Sequence, residues 1–439
     1  MGNSTQSRTE PTPGLRAGRG MVRMISFSVF IHKWTGLLAA AFLIVAGVTG
    51  SLLAFEKELE ALVNPGQYVV QPRLDEQGRP AAMLDPFELH ARAVAALPGY
   101  QVTGFPFLRT PDRSVPFNLT RGDPKQPDAD QAFLDPYDGR LLGVRKYGAT
   151  PFDRTTLIGF IYKLHYALAL PAPYGQWLFG LVALVWTVNC LVGIVSTFPR
   201  IPPFWKRWLP AWLIKHTGST YRLHYDVHRA SGLWLWAVLF LFAWSSVMLN
   251  LRQEIYTPVM STFLEFSATP EPRKADTSKP LLGWPQAYDI ASRAMDELAA
   301  QHGFTVNFRS HLFYNRRFDA FIYYANTSRD VQSDRGQTGV FIDARSGALL
   351  GSRMPTGAYS GDTVSRWLQS LHMAKVFGLP FRIFVAFVGL ALAISAYTGL
   401  YVWWKKRKAR LARDDKLRIK AKALAAQPAP HPHQAHRPL

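Results

Sequence analysis

Four stretches of this chain carry no charged side chain for 22 residues or more: Trp34–Phe55, Gln176–Pro199, Ala230–Leu251 and Ile383–Trp404. About 20 apolar helical residues cross the roughly 30 Å hydrocarbon core of a bilayer. A spanning segment must satisfy its own backbone hydrogen bonds, so runs of this kind fold as helices. Four transmembrane helices in a lipid bilayer are therefore expected. The basic residues set the direction of threading. Arg8, Arg16, Arg19, Arg23 and Lys33 precede the first run. Arg200, Lys206, Arg207, Lys215, Arg222 and Arg229 lie between the second and third, and Lys405, Lys406, Arg407, Lys408 and Arg410 follow the fourth. All three groups fall on one side of a four-span path. Both termini and the middle loop are thus expected in the cytoplasm, with the long segments 57–155 and 253–365 outside. The net charge of +20 is this asymmetry plus a basic tail, with some added attraction to anionic head groups. Because the charge flanks spans, no nucleic-acid partner is expected. The first run ends at Phe55-Glu56-Lys57 without a small-residue cleavage site and reads as an uncleaved anchor.

Four histidines mark an internal repeat. His32-Lys33-Trp34-Thr35-Gly36 and His228-Arg229-Ala230-Ser231-Gly232 share a His, a basic residue, any residue, a hydroxyl and a Gly, 196 positions apart. Leu164-His165-Tyr166-Ala167 and Leu371-His372-Met373-Ala374 lie 207 apart, each just before the second apolar run of its half. Between them, Phe133-Leu134-Asp135 with Gly139 and Leu141-Leu142-Gly143 matches Phe341-Ile342-Asp343 with Gly347 and Leu349-Leu350-Gly351 at an offset of 208. Each of these elements reads as strand, turn and strand, with Gly in the left-handed turn position and Asp135 and Asp343 as turn residues.

The expected fold is an α-helical membrane protein with four transmembrane helices in two pseudo-repeats, each carrying an external α+β domain. The layout is a disordered N-terminus (1–25), helix 1 (26–58), an α+β domain (59–155), an interfacial helix with helix 2 (156–199) and a cytoplasmic loop (200–220). Helix 3 (221–252), the second α+β domain (253–362), an interfacial helix with helix 4 (363–406) and a disordered basic tail (407–439) follow. Amphipathic helices are expected at Asp85–Leu97 and Pro285–His302. Strands are expected at Tyr100–Phe107, Ser114–Thr120, Thr305–Phe308, Arg317–Ala325 and Thr338–Asp343, besides the two hairpins. His431, His433 and His436 in the tail offer weak metal binding, and a tail without function is the favoured reading.

Cysteine usage narrows the chemistry. Cys190 is the only cysteine and lies within the second apolar run, so the external segments hold no disulfide and multi-thiolate metal sites are excluded. With no Cys-x-x-Cys-His, any haem is bound noncovalently. Ionisable side chains in or beside spans are costly and tend to be functional, and neutral imidazole suits iron. In the expected topology His32 and His228 share one depth and His165 and His372 another. A twofold axis along the membrane normal would join each pair about one iron, giving an inner and an outer bis-histidine site roughly a helix length apart, about 30 Å for 20 residues. His224, four residues before His228, shares its helix face and is an alternative ligand or a propionate partner. Gly36, Gly47, Gly50, Gly180, Gly193, Gly232, Gly389 and Gly399 allow either a flat macrocycle or a neighbouring helix to approach. Arg229 and Lys33 are propionate partners or simple anchors, and Asn189 is polar within helix 2. Phe313, Tyr314, Tyr323, Tyr324 and Trp367 either pack the second external domain or line a ligand pocket.

These motifs, the His-basic-x-x-Gly helix start, the helix-plus-hairpin with Phe-x-Asp-x-x-x-Gly and the Leu-His before a second helix, resemble the PepSY-associated transmembrane family. The resemblance covers nearly all of residues 26–406 in both halves. Its iron-regulated inner-membrane members include ferric-siderophore reductases. The resemblance implies two b-type haems between the helices, PepSY-like domains in the periplasm, and reduction of a ferric siderophore; the electrons are expected from a cytoplasmic flavoprotein or a quinol. The expected protein is thus an oxidoreductase of the bacterial inner membrane. Two alternatives stay open: a haem-free, membrane-anchored PepSY binding or regulatory protein, and a b-type cytochrome serving another acceptor.

Overall fold

The computed structural model describes residues 13–150, 153–215, 218–268, 271–275 and 278–425. Internal contacts divide the chain into two units. The first is drawn from Met1–Ala41, Val192–Trp236 and Ile394–Leu439, and the second from Phe42–Leu191 and Ala237–Ala393.

The apolar runs are helical, as their hydropathy demands. Helix α1 spans Pro13–Leu53, and three short helices, Glu56–Val63 among them, follow it within the second unit. One of these, α2, covers Pro86–Ala96 and is capped by the Asp85 side chain, which accepts from the Phe87 amide at 2.8 Å. Then come α3 (Leu157–Ala167), α4 (Tyr174–Ser196), α5 (Thr220–Trp234), α6 (Trp236–Asn250), α7 (Trp284–His302), α8 (Ser360–His372) and α9 (Gly378–Ala425). By length and composition α1, α4 and α9 can each cross a membrane, and α5 with α6 makes a fourth span if that broken pair counts as one.

Three expectations are corrected here. The third apolar run is not one helix, because it breaks at Leu235. There the Trp234 indole donates to the Trp212 carbonyl at 3.1 Å, holding the end of α5 to the preceding loop. Helix α1 begins at Pro13, so residues 13–25 are not disordered. Helix α9 runs to Ala425, well into the stretch 407–439 expected to be disordered. Both extensions follow from helix cooperativity, since an existing helix gains one hydrogen bond per added residue without a new nucleation cost. The Lys, Arg, Ala and Leu residues beyond Trp404 are strong helix formers. His431, His433 and His436 lie outside the described residues.

The fourth correction concerns the two α+β domains. They form one antiparallel sheet in the order β4-β3-β2-β1-β5-β6-β7-β8. The strands are β1 (Tyr100–Pro106), β2 (Val115–Arg121), β3 (Gln131–Leu134), β4 (Leu141–Arg145), β5 (Val306–Asn315), β6 (Ala320–Thr327), β7 (Thr338–Asp343) and β8 (Leu349–Arg353). Each half is a four-stranded meander, and the two join where β1 pairs with β5, Gly104 opposite Phe313 and Phe105 opposite Leu312. Two separate four-stranded sheets would have four edge strands; this seam pairs β1 with β5 and leaves β4 and β8 as the edges. Gly104 is required there, because a Cβ would collide with the Cβ of Phe313.

Helices α2 and α7 pack on one face of the sheet. Leu89, Ala93, Phe105 and Phe117 form one core, and Ala287, Met295, Leu312 and Tyr323 the other. Phe107 and Trp284 touch both cores, and Phe87 meets Tyr288 at 5.5 Å between ring centroids. Truncating a fully buried residue such as Leu312 to Ala should cost about 2–5 kcal/mol. Asp135 and Asp343 are turn residues. Asp135 accepts from the Tyr137 amide at 2.8 Å, and Asp343 from those of Arg345 and Ser346 at 3.0 and 2.8 Å. Of the external aromatics, Tyr323 is core, Phe313 stacks on Tyr324, Tyr314 donates to Asp319 at 2.8 Å, and Trp367 is 40% exposed.

Candidate functional site

The four repeat histidines meet as two pairs, one in each unit. In the first unit, His32 on α1 faces His228 on α5, with ring centroids 5.9 Å apart and ring planes inclined by 51°. In the second, His165 in the last turn of α3 faces His372 at the end of α8, at 6.2 Å and 58°. Both short helices stop just past their histidine, where Leu168 (φ 53°), Ala169 (φ 57°) and Ala374 (φ 52°) adopt left-handed backbone. Each histidine is thereby left at a helix C-terminus.

These separations can be set against two arrangements of paired imidazoles. Two imidazoles hydrogen-bonded directly, about 2.9 Å between nitrogens, would place their centroids near 5 Å. Two imidazoles sharing one metal at about 2.0 Å from each nitrogen would place them near 6 Å. Both pairs match the second case. The inclined planes are compatible with it, because each ring can turn about its own metal–nitrogen axis. Among the described residues, no group of three or more His, Cys, Asp or Glu is placed to hold a metal ion. A pair of neutral imidazoles is a donor set that would fit haem, with His32 and His228 or His165 and His372 as the residues that would hold it.

Hydrogen bonds assign the tautomers. Thr49 on α1 lies 3.0 Å from Nδ1 of His165, and Ser245 on α6 lies 2.8 Å from Nδ1 of His372. Both hydroxyls donate elsewhere, Thr49 to the Val45 carbonyl at 2.6 Å and Ser245 to the Phe242 carbonyl at 3.1 Å. Each must then accept from Nδ1–H. His228 donates from Nδ1 to the Ser395 carbonyl at 2.8 Å, an atom that can only accept. In all three rings the lone pair is left on Nε2, the ligating form. Burial pushes His165 down to about 4 and His372 to about 3, so both are neutral at pH 7.

Glycines seat the rings. A Cβ on Gly50 would lie 2.9 Å from Cε1 of His165, one on Gly399 2.9 Å from Cε1 of His228, and one on Gly193 3.1 Å from Nδ1 of His32. Thr49, Ser245 and Ser395 were missed from the sequence. Thr49 and Ser245 are 196 positions apart, the same offset as His32 and His228, so the repeat itself carried the signal for them. Ser395 acts through its carbonyl, which no side-chain pattern reveals.

His224 is not part of a pair. Its Nδ1 lies 2.8 Å from the Thr220 carbonyl, and its ring stacks on Tyr401 at 4.0 Å. Arg229 is also committed, to Asp226 at 2.9 Å and to the Pro210 carbonyl at 3.0 Å. Asp226 is fully buried and also takes Arg222 at 2.8 Å, so this network braces the helix that carries His228. Lys33 sits over the Trp34 ring at 4.4 Å.

No curated protein matches the chain. The model of the family described as PepSY-associated TM region matches residues 29–406, a stretch that includes all four paired histidines, their hydroxyl partners and the whole sheet. This chain is a membrane protein and belongs to that PepSY-associated family.

Proposed function

We propose that this chain is a bacterial inner-membrane, di-haem b-type electron-transfer protein that reduces a ferric siderophore in the periplasm and so releases its iron. It would be an oxidoreductase with four spans in two pseudo-repeats, both termini in the cytoplasm and the sheet outside. His32 and His228 would hold one haem b, and His165 and His372 the other. Bound there, haem supplies a one-electron carrier whose potential depends on its axial ligands and on the polarity around it.

The chain's own residues present four imidazoles in two pairs, three of them held through Nδ1 by Thr49, Ser245 and the Ser395 carbonyl. No protein acid or base is needed for an outer-sphere reduction. Adding one electron to a ferric chelate weakens its hold by hard oxygen donors and frees ferrous iron. The electron would come from a cytoplasmic flavoprotein or a quinol. The observation that carries this reading is the pair of centroid separations, 5.9 and 6.2 Å.

The test is an absorption spectrum of the purified protein with and without dithionite, with haem quantified as its pyridine complex. Two b-type haems per chain are expected, and one in His32→Ala or His165→Ala. A colourless preparation from haem-replete cells overturns the reading in favour of a haem-free binding protein. Stopped-flow oxidation of the reduced protein by ferric siderophores, set against other acceptors, tests the substrate. Reoxidation no faster than by oxygen alone would remove the siderophore.

A further inference from the structure

The segment that joins α4 to α5 carries apolar side chains on its outside. Its inner side is a cluster of rings. Phe198, Phe204, Trp208 and Trp212 interlock, with neighbouring centroids 5.3–5.4 Å apart. The Trp208 indole donates to the Thr197 hydroxyl at 3.0 Å, and the Pro210 carbonyl accepts from Arg229 at 3.0 Å. These bonds fix a short helix, Phe204–Trp208, and the tight turn Leu209–Trp212 that continues it. What remains outside is apolar as well. Ile201, Trp205, Leu209 and Leu213 recur at every fourth residue and are 56, 73, 65 and 56% exposed. A row of large apolar side chains left open in this way marks a contact surface.

Charge says what covers it. Arg200, Lys206, Arg207 and Lys215 are interleaved with the row, and no Asp or Glu occurs from Arg154 to Tyr225. The next acid, Asp226, is taken by Arg222 and Arg229 at 2.8 and 2.9 Å. Among the described residues, no carboxylate lies at ion-pair distance from Lys206 or Arg207. An apolar row beside uncompensated cations matches the boundary of an anionic bilayer, where acyl chains take the first and phosphates the second. Chain continuity points the same way. Helix α4 ends at Ser196, so the segment begins at the level where an apolar span ends. Trp is the residue whose ring suits that level. Pro199, Pro202, Pro203 and Pro210 have no amide hydrogen, which leaves fewer backbone donors to satisfy there.

We propose that residues 198–213 form an interfacial shelf in the bilayer surface. Ile201, Trp205, Leu209 and Leu213 enter the acyl chains, and Lys206 and Arg207 bind the phosphates of anionic phospholipids. The contact needs no haem. Only its placement in the cytoplasmic leaflet rests on the topology proposed above.

The test uses the full chain in nanodiscs, in a Cys190→Ser background, with a bimane label on Leu209→Cys or Leu213→Cys. Glu76→Cys, in an exposed turn, is the aqueous control. Lipids carrying a nitroxide on the acyl chain should quench both shelf labels and spare the control, and aqueous iodide should do the reverse. Iodide quenching of the shelf labels equal to the control's overturns the proposal. So does resistance to both quenchers, which means that protein covers the row; a doubled mass by light scattering then identifies a second copy. The phosphate contacts are tested by thermal unfolding in phosphatidylcholine alone and in an equal mixture with phosphatidylglycerol. The anionic lipid should raise the midpoint, added salt should shrink the rise, and Lys206→Gln combined with Arg207→Gln should lose part of it. A rise that this double variant keeps in full overturns those contacts. An impermeant thiol reagent should reach Lys215→Cys in inverted membrane vesicles and not in intact cells. The opposite result sinks the proposed topology and leaves the lipid contact standing.

Discussion

Gly399→Ala adds one methyl group to α9 against His228. The new Cβ would sit 2.9 Å from Cε1 and 3.2 Å from Nδ1 of the ring. Carbon atoms rest at about 3.5–4.0 Å, so the imidazole must retreat by about 0.5 Å or more. Metal–ligand distances tolerate only about 0.2 Å. The ring cannot turn away freely, because Nδ1 is tied to the Ser395 carbonyl at 2.8 Å. A helical Gly→Ala change otherwise favours the helix by about 1 kcal/mol, so loss of fold is not the expected effect. Gly232→Ala is the control: it lies four residues after His228 on α5, and a Cβ there meets nothing within 4 Å. The assay is haem per chain, with helicity followed by far-ultraviolet circular dichroism. Gly399→Ala should lose the haem at His32 and His228 with its helicity intact, while Gly232→Ala should keep both haems. A Gly399→Ala protein with full haem content and an unshifted spectrum would refute the reasoning.

Three further outcomes are expected. Thr49→Val and Ser245→Ala each remove the acceptor for an Nδ1–H, and should speed haem transfer to an apo-globin by about 10–100-fold; transfer at the wild-type rate would show that the hydroxyls do not hold the rings. Glu60→Gln leaves Arg145 uncompensated where its side chain is 2% exposed, and should destabilise the sheet by about 3–5 kcal/mol in denaturant unfolding, a loss below about 1 kcal/mol counting against it. His90 lies against Trp284 and Phe105 at 4.8 and 5.0 Å, and burial pushes it down to about 4. The unfolded chain, titrating near 6.5, binds the proton first as pH falls, so this contribution is complete above about pH 6.5 and is lost towards pH 4. His90→Leu should flatten the fall of unfolding midpoint over that range, and an unchanged slope would exclude His90 as its source.

Much of the architecture was legible in the sequence because its signals are local. The charge-free runs are helical because lipid or protein surroundings demand it. Thr338–Asp343 alternates and ends at a glycine turn, and it is the strand β7. The strand expected at Thr305–Phe308 reaches Asn315, because its outer half is set by pairing with β1 and β6 and not by its own pattern. The histidines could be matched by motif and offset, since a repeat preserves equivalent positions. Their hydroxyl partners kept the offset too, but a Thr or Ser in an apolar helix usually bonds its own backbone and draws no notice.

The amino-acid order alone determined where the apolar helices lie, which residues open them and that the chain is written twice, because hydropathy, turn chemistry and repeat spacing are properties of neighbours along the chain. Folding in three dimensions decided that the two α+β halves share one sheet, and that His224 turns to Tyr401 while His228 meets His32. Those outcomes depend on which edges must be closed and on how charge and shape fit across distances of a few ångströms. Such distances join residues far apart in the chain, and linear order does not encode them directly.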